Sequence, residues 1–209
     1  MNETRGKFIT FEGCDGCGKS TQLKLSDYLL KNALPHIFTR EPGGGKISEA
    51  IRRVLLDGKN SEMTDECEAL LYAAARVQHL ADRVAPALQA GKLVICDRYV
   101  DSSLAYQAGG RGIDEAFVKN INSYALEQYL PDATIFIDLS PEEAFCRKHG
   151  ADKNDRLEQA GMEFHRRVYA SYKTLASENP ARIVTIDGRN TPQGIFDNIL
   201  RALRERRCL

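Results

Sequence analysis

The chain has 209 residues, enough for one globular domain with a core on both sides of a sheet. Its 29 Lys+Arg balance 29 Asp+Glu, which argues against a nucleic-acid binder working through a global basic field, and 43% hydrophobic with 28% charged residues is ordinary for a soluble protein. No apolar run approaches the ~20 residues of a membrane span, and the opening M-N-E-T-R-G-K carries no apolar signal segment, so a cytoplasmic protein is expected.

In chain order, the first element is a β-type run at 7–11 (K-F-I-T-F), followed by E-G-C-D-G-C-G-K-S-T at 12–21 and a helix predicted over 19–32. A second strand is predicted at 36–39 (H-I-F-T). A long helix then starts at Thr64, a good N-cap, with Asp65 and Glu66 in the first turn where the helix dipole favours acids. Along it Leu70, Ala74, Val77, Ala81, Val84 and Leu88 recur at spacings of four and three, one apolar stripe expected to pack on the core, part of which could face a second subunit. Pro86 is expected to kink or restart this helix and Gly91 to end it.

Strands follow at 93–96 (L-V-I-C), 134–139 (T-I-F-I-D-L) and 182–186 (R-I-V-T-I). Ser140-Pro141-Glu142-Glu143 is a capping box with Pro at the first helical position, and Thr191-Pro192 opens the last helix in the same way. The segment 146–158 is polar and basic, at Arg147, Lys148, Lys153 and Arg156, without apolar periodicity, as a surface loop or lid would be. Short Ile/Val/Phe/Thr-rich strands alternating with helices imply βαβ units. The expected fold is a three-layer α/β/α domain over residues 1–209, with a five-stranded parallel sheet and the short lid.

The stretch C-D-G-C at 14–17 has two readings. As a C-x-x-C pair it lacks the second pair or His that a structural zinc site needs; the other cysteines (Cys67, Cys96, Cys146, Cys208) are scattered. Position alone does not exclude a redox motif, but the following Gly-Lys-Ser makes it improbable. Gly13-x-x-x-x-Gly18-Lys19-Ser20 is the full phosphate-loop pattern, set between a strand and a helix. Gly13, Gly16 and Gly18 let the backbone turn and approach phosphate oxygens. Backbone N–H groups from Gly13 through Cys14, Asp15, Gly16, Cys17, Gly18, Lys19, Ser20 and Thr21 then face the β-phosphate of a nucleotide. Lys19 bridges the β- and γ-phosphates and the Ser20 hydroxyl ligates Mg²⁺. The two close thiols leave open a disulfide under oxidation.

No guanine-specificity N/T-K-x-D and no L-S-G-G-Q motif is present, which disfavours a signalling GTPase and an ABC-type ATPase. Asp97-Arg98-Tyr99 follows a strand directly, at the sheet edge where open α/β folds bind ligands. There Arg98 is a natural phosphate clamp, and Asp97 a second Mg²⁺ contact through water.

The chain resembles the thymidylate kinase (dTMP kinase) family over nearly its whole length. The motifs are F-E-G-C-D-G-C-G-K-S-T at 11–21, T-R-E-P-G-G at 39–44, L-L-Y-A-A-A-R-V-Q-H at 70–79, V-I-C-D-R-Y-V-D-S-S-L-A-Y-Q at 94–107, D-R-L-E at 155–158 and I-D-G at 186–188. The resemblance implies transfer of the γ-phosphate of MgATP to dTMP, for dTTP synthesis, by a homodimer that needs no nucleic acid or membrane. In that resemblance Asp15 binds the sugar 3′-hydroxyl, Tyr72 stacks on thymine, Arg76 reaches its O4, and Ser103 and Gln107 lie at the acceptor site. Tyr106 packs beneath C2′, Arg98 clamps the acceptor phosphate, and Glu41-Pro42 walls the monophosphate. Some members carry an Arg after the loop Asp; here that position is Gly16, so the lid is expected to supply the cation, Arg156 first and Arg147 second. Rival readings are a deoxynucleoside kinase, a different nucleoside-monophosphate kinase, or a non-catalytic nucleotide-binding regulator.

Overall fold

A computed structural model of the chain describes residues 5–148 and 155–209. The five expected strands all form, each bound within one residue of expectation: β1 (Phe8–Glu12), β2 (His36–Arg40), β3 (Leu93–Asp97), β4 (Ala133–Asp138) and β5 (Ile183–Asp187). They build one sheet in the order β2-β3-β1-β4-β5, every pairing parallel. β1 sits centrally and is buried along its whole length, because helices cover both faces of a parallel sheet.

Alternation sorts the strand residues between two cores. Ile9, Phe11, Ile95, Ile135 and Ile137 pack beneath α1 (Lys24–Lys31) and α10 (Pro192–Glu205). On the other face Phe8 and Val94 pack on Leu80 and Val84, whereas Phe136 meets Val168 and Tyr172 of α9 (Met162–Glu178).

The helix signals act locally as read. Thr64 Oγ1 accepts from Cys67 N at the start of α3 (Asp65–His79), after α2 (Lys46–Leu56). Ser140 and Glu143 exchange hydrogen bonds around the start of α8 (Pro141–Lys148), and Thr191 caps α10. The helix expected from Lys19 instead begins as a 3₁₀ turn, Ser20–Leu23, before α1.

The apolar stripe needs correction. Leu70, Ala74, Val77 and Ala81 are exposed, Leu70 by 49% and Val77 by 44%; only Val84 and Leu88 are buried. The buried face of α3 carries Glu68, Tyr72, Arg76 and His79. Two causes combine. A π-helical segment, Leu80–Val84, precedes α4 (Ala85–Gln89), so a 3.6-residue period carried through it changes face. And nothing within α3 marks its polar residues for burial, because their partners lie on distant segments.

α5 (Val100–Ser103) leads through a second π-helical segment, Leu104–Gly110, to α6 (Glu115–Ile121) and α7 (Ser123–Gln128). The loops leaving β1, β2 and β3 meet at the C-terminal edge of the sheet. There the chain runs from β1 to β2 on one side and onward to β4 on the other, the switch point at which such sheets bind ligands.

Candidate active site

The loop after β1 has positive φ at Gly13 (136°), Gly16 (86°) and Gly18 (103°). Gly16 admits no side chain: a Cβ there would lie 2.3 Å from the Ala144 carbonyl oxygen of α8. The loop position after Asp15, where the family resemblance allows an Arg, is closed here by α8. Lys19 Nζ donates to the Gly13 and Cys14 carbonyls at 3.0 and 3.1 Å, tying its charge to the loop. Cys14 and Cys17 are buried free thiols. Burial pushes the Cys14 thiol up to about 12 and raises Cys17 too, so both are held as thiols, poor metal ligands and poor nucleophiles.

Ser20 and Asp97 face the same cavity beside the loop, with Arg147 and Lys148 on its far wall. Asp97 Oδ1 is buried without a hydrogen-bond partner. An orphaned carboxylate oxygen opposite a hydroxyl suits a hard cation such as Mg²⁺. Among the described residues no group of three His, Cys, Asp or Glu could hold a metal alone, so the fit is to an ion arriving on a nucleotide. A neighbouring recess is lined by Gly18, Thr21, Arg147, Asn190 and Ile195, and Arg147 Nη1 donates to Gly188 O at 2.8 Å.

The adjoining cleft brings Lys19 together with Asp15, Arg98, Tyr72, Arg76 and Tyr106. Arg98 has φ 66°, a left-handed backbone that non-glycine residues seldom hold. Its Nη2 donates to Asp15 Oδ1 at 2.7 Å, its Nη1 to Ser102 Oγ and Tyr172 OH, and its guanidinium lies 5.0 Å from the Tyr106 ring centroid. Tyr106 OH donates to Asp15 Oδ2 at 3.3 Å. Burial would raise the Asp15 carboxyl, but the Arg98 and Lys19 charges outweigh it and hold it well below the usual range.

At the cleft's other end Arg76 is 2% exposed and almost saturated. Its Nε donates to Glu41 Oε2 at 2.7 Å, Nη1 to Ser103 Oγ at 2.9 Å and to Asn122 Oδ1, and Nη2 to Tyr99 O at 3.0 Å. Four of five N–H groups are used, leaving one on Nη2. Glu41 Oε1 meets His79 Nδ1 at 2.8 Å, and His79 Nε2 meets Thr39 Oγ1 at 2.6 Å. Pro42 and Gln107 also line this cleft. The Pro42 carbonyl accepts from both Arg40 and Arg52, and Gln107 donates to Glu68.

Arg156 stands elsewhere than expected. It pairs with the fully buried Glu68, donates through Nε to Leu55 O at 3.1 Å, and lines no part of the loop cavity. A carboxylate with no exposure demands cations, and Glu68 takes Arg156 and Arg111 together. Arg147 and Lys148 are the expected lid cations that reach the phosphate loop; residues 149–154, including Lys153, lie outside the described residues.

Sequence reasoning missed Glu12, Glu68, His79, Asn122, Arg40 and Arg52. Glu12, Arg40 and His79 fall within motifs but were given no role. Asn122 had no signal, being an ordinary polar residue between two short helices.

Comparison with known proteins identifies the family. The family profile described as "Thymidylate kinase" matches residues 11–199. A thymidylate kinase of Enterococcus faecalis is 48% identical over 206 residues, covering 97% of each chain. One of Acholeplasma laidlawii is 48% identical over 203 residues, 94% of this chain and all of that relative. The crystal structure of a thymidylate kinase from Ehrlichia chaffeensis superposes with a TM-score of 0.77 at 32% identity, covering 96% of this chain and 99% of that one.

Proposed function

The chain belongs to the thymidylate kinase family, and from that premise we propose how its site moves a phosphoryl group. The reaction is MgATP + dTMP → MgADP + dTDP. The observation that carries the mechanism is that one cleft wall holds both Lys19 of the phosphate loop and Arg98, a second phosphate-sized cation site. A regulator that only binds ATP needs no such second site.

The nucleophile is an oxygen of the dTMP phosphate, whose second pKa near ~6 leaves it largely dianionic at neutral pH, so no general base is required. The chain's work is alignment and charge neutralisation. Backbone N–H groups from Gly13 to Thr21 hold the ATP phosphates, and Lys19 spans β and γ. Arg98 holds the acceptor phosphate in line, itself held by Asp15, which takes the 3′-hydroxyl on its exposed side. Tyr106 fills the space beneath C2′. Tyr72 stacks on thymine, and the remaining Arg76 N–H reaches O4, with Ser103 and Gln107 at the base edge. Of the expected monophosphate wall, Glu41 is turned onto Arg76 and His79 and braces the base end, while Pro42 lines the cleft. Ser20 and, through water, Asp97 would hold Mg²⁺, which would supply charge compensation on the phosphates. With Gly16 closed, Arg147 supported by Lys148, at the end of α8, supplies the charge on the far side of the phosphates.

A coupled ADP-release assay with dTMP, dUMP, thymidine and no acceptor tests this. Strong dTMP-dependent turnover without thymidine activity is expected; equal turnover without acceptor would contradict it.

The exposed apolar residues Leu70 and Val77 of α3, beside Ile47 and Val54 of α2, support a homodimer through these helices. Sedimentation of Val77→Asp checks it: a shift to monomer is expected, and an unchanged species would refute the interface. No helix of the described residues is long and apolar enough to cross a membrane, and six unpaired thiols suit a reducing cytoplasm.

A further inference from the structure

Glu12 ends β1 at the centre of the sheet, is fully buried, and takes no part in the transfer described above. Its two oxygens are divided between the backbone and the side chain of the arginine segment. Oε1 accepts from Tyr99 N at 2.8 Å. Oε2 accepts from Ser102 Oγ and Tyr172 OH, each at 2.6 Å. These same two hydroxyls receive Arg98 Nη1, at 3.3 and 3.2 Å. A hydroxyl has one proton, and Ser102 Oγ and Tyr172 OH also lie 2.9 Å from each other; at least one of their two protons goes to Glu12, the other to Glu12 or to the neighbouring hydroxyl, and lone pairs on both oxygens are left facing Arg98.

The backbone is tied as well. Arg98 holds its left-handed φ between two hydrogen bonds, its own N–H to Phe11 O at 2.9 Å and the next N–H, Tyr99, to Glu12. Apolar packing gives no reason for a charge here. The site lies close to Asp101, and burial with that neighbour raises the Glu12 carboxyl to about 7, against the pull of Arg98 and the two hydroxyls. A buried carboxylate opposed in this way is an expensive way to fill space.

We propose that Glu12 is the positioning residue of the acceptor site: through Tyr99 N it sets the Arg98 backbone, and through the Ser102 and Tyr172 hydroxyls it aims one edge of the guanidinium, while Asp15 aims the other. It touches no substrate and acts only through Arg98. This rests on Arg98 as the clamp of the acceptor phosphate.

The test is steady-state kinetics at pH 8 with ATP and dTMP varied separately, on the full chain, for Glu12→Gln, Arg98→Ala and the double variant Ser102→Ala/Tyr172→Phe. Thermal unfolding checks that each is folded. Gln keeps the volume, but its amide donates where the carboxylate accepted, so a hydroxyl must turn its proton back toward Arg98. Glu12→Gln is expected to lower kcat/KM for dTMP by roughly tenfold or more and leave KM for ATP unchanged. Adding Ser102→Ala/Tyr172→Phe to it should cost little more, since all three act along one path. Should Glu12→Gln not fold, the double variant carries the test, with the same dTMP-specific loss expected. A folded Glu12→Gln or double variant with unaltered dTMP kinetics, where Arg98→Ala has lost activity, would overturn the role of Glu12. Full turnover in Arg98→Ala would instead remove the clamp itself, and Glu12's role with it.

Discussion

The two ends of the cleft are built on opposite terms. At the base end, Glu41, Arg76, His79, Ser103 and Asn122 are all buried and bonded to one another, with one Arg76 N–H spare. At the phosphate end, Asp15 and Arg98 keep 28% and 16% side-chain exposure, Asp97 leaves an oxygen unpaired, and Arg98 sits on a strained backbone. A finished hydrogen-bond network rejects the wrong base because any mismatch leaves a buried group unpaired. An unfinished one awaits charge, which the nucleotides and their cation bring. In the proposed mechanism, discrimination is set in the folded chain, whereas the charge balance for transfer is completed only on binding.

This contrast predicts where stability and activity separate. The largest effect should follow Glu41→Ala, which strands Arg76 and His79 in the interior. About 3–5 kcal/mol of stability is at stake, a fall in Tm on the order of 10 °C, read by calorimetry. Next, Arg98→Ala should cost roughly 10²–10³-fold in kcat/KM for dTMP, the scale of a lost electrostatic contact to the transition state, with little change in Tm. If both variants lost stability equally, the two ends would not differ as described.

Glu12 gives a pH signature. Its folded carboxyl is raised from 4.5 to about 7, by burial first and Asp101 second, with Arg98, Ser102 and Tyr172 opposing. The folded state therefore binds this proton more tightly than the unfolded one. Its contribution to stability falls as pH rises from about 4.5 to about 7 and is level above, by at most roughly 3 kcal/mol. Denaturant unfolding across that range should show the slope in wild type and lose it in Glu12→Gln. The smallest contrast is within the lid. Arg147→Ala should lower kcat by roughly tenfold or more, whereas Arg156→Ala should act mainly on stability by leaving the buried Glu68 only Arg111 and Gln107. The reverse ranking would return Arg156 to the phosphoryl group.

The sequence was most legible where function depends on local spacing. The phosphate loop, the caps at Thr64, Ser140 and Thr191, and the five strands all rest on neighbours within a few residues. It was least legible where a polar residue is buried by a distant partner. Glu68 drew no role and Arg76 was placed only through the family resemblance, because their partners, Gln107, Arg111 and Arg156 for one and Glu41 and Asn122 for the other, are 35 or more positions removed. The exposed Leu70 and Val77 are the counterpart of that error. Arg156 was misplaced for a related reason: a basic residue in a polar segment carries no mark of which acid it will meet.

The most direct test of the two-ended cleft is a single-turnover experiment with γ-labelled ATP and dTMP, comparing wild type with Arg98→Ala at matched ATP occupancy. The mechanism predicts label in dTDP for wild type, and label retained in ATP for the variant. Label released to water at the same rate without dTMP, or dTDP formed by Arg98→Ala at the wild-type rate, would contradict it.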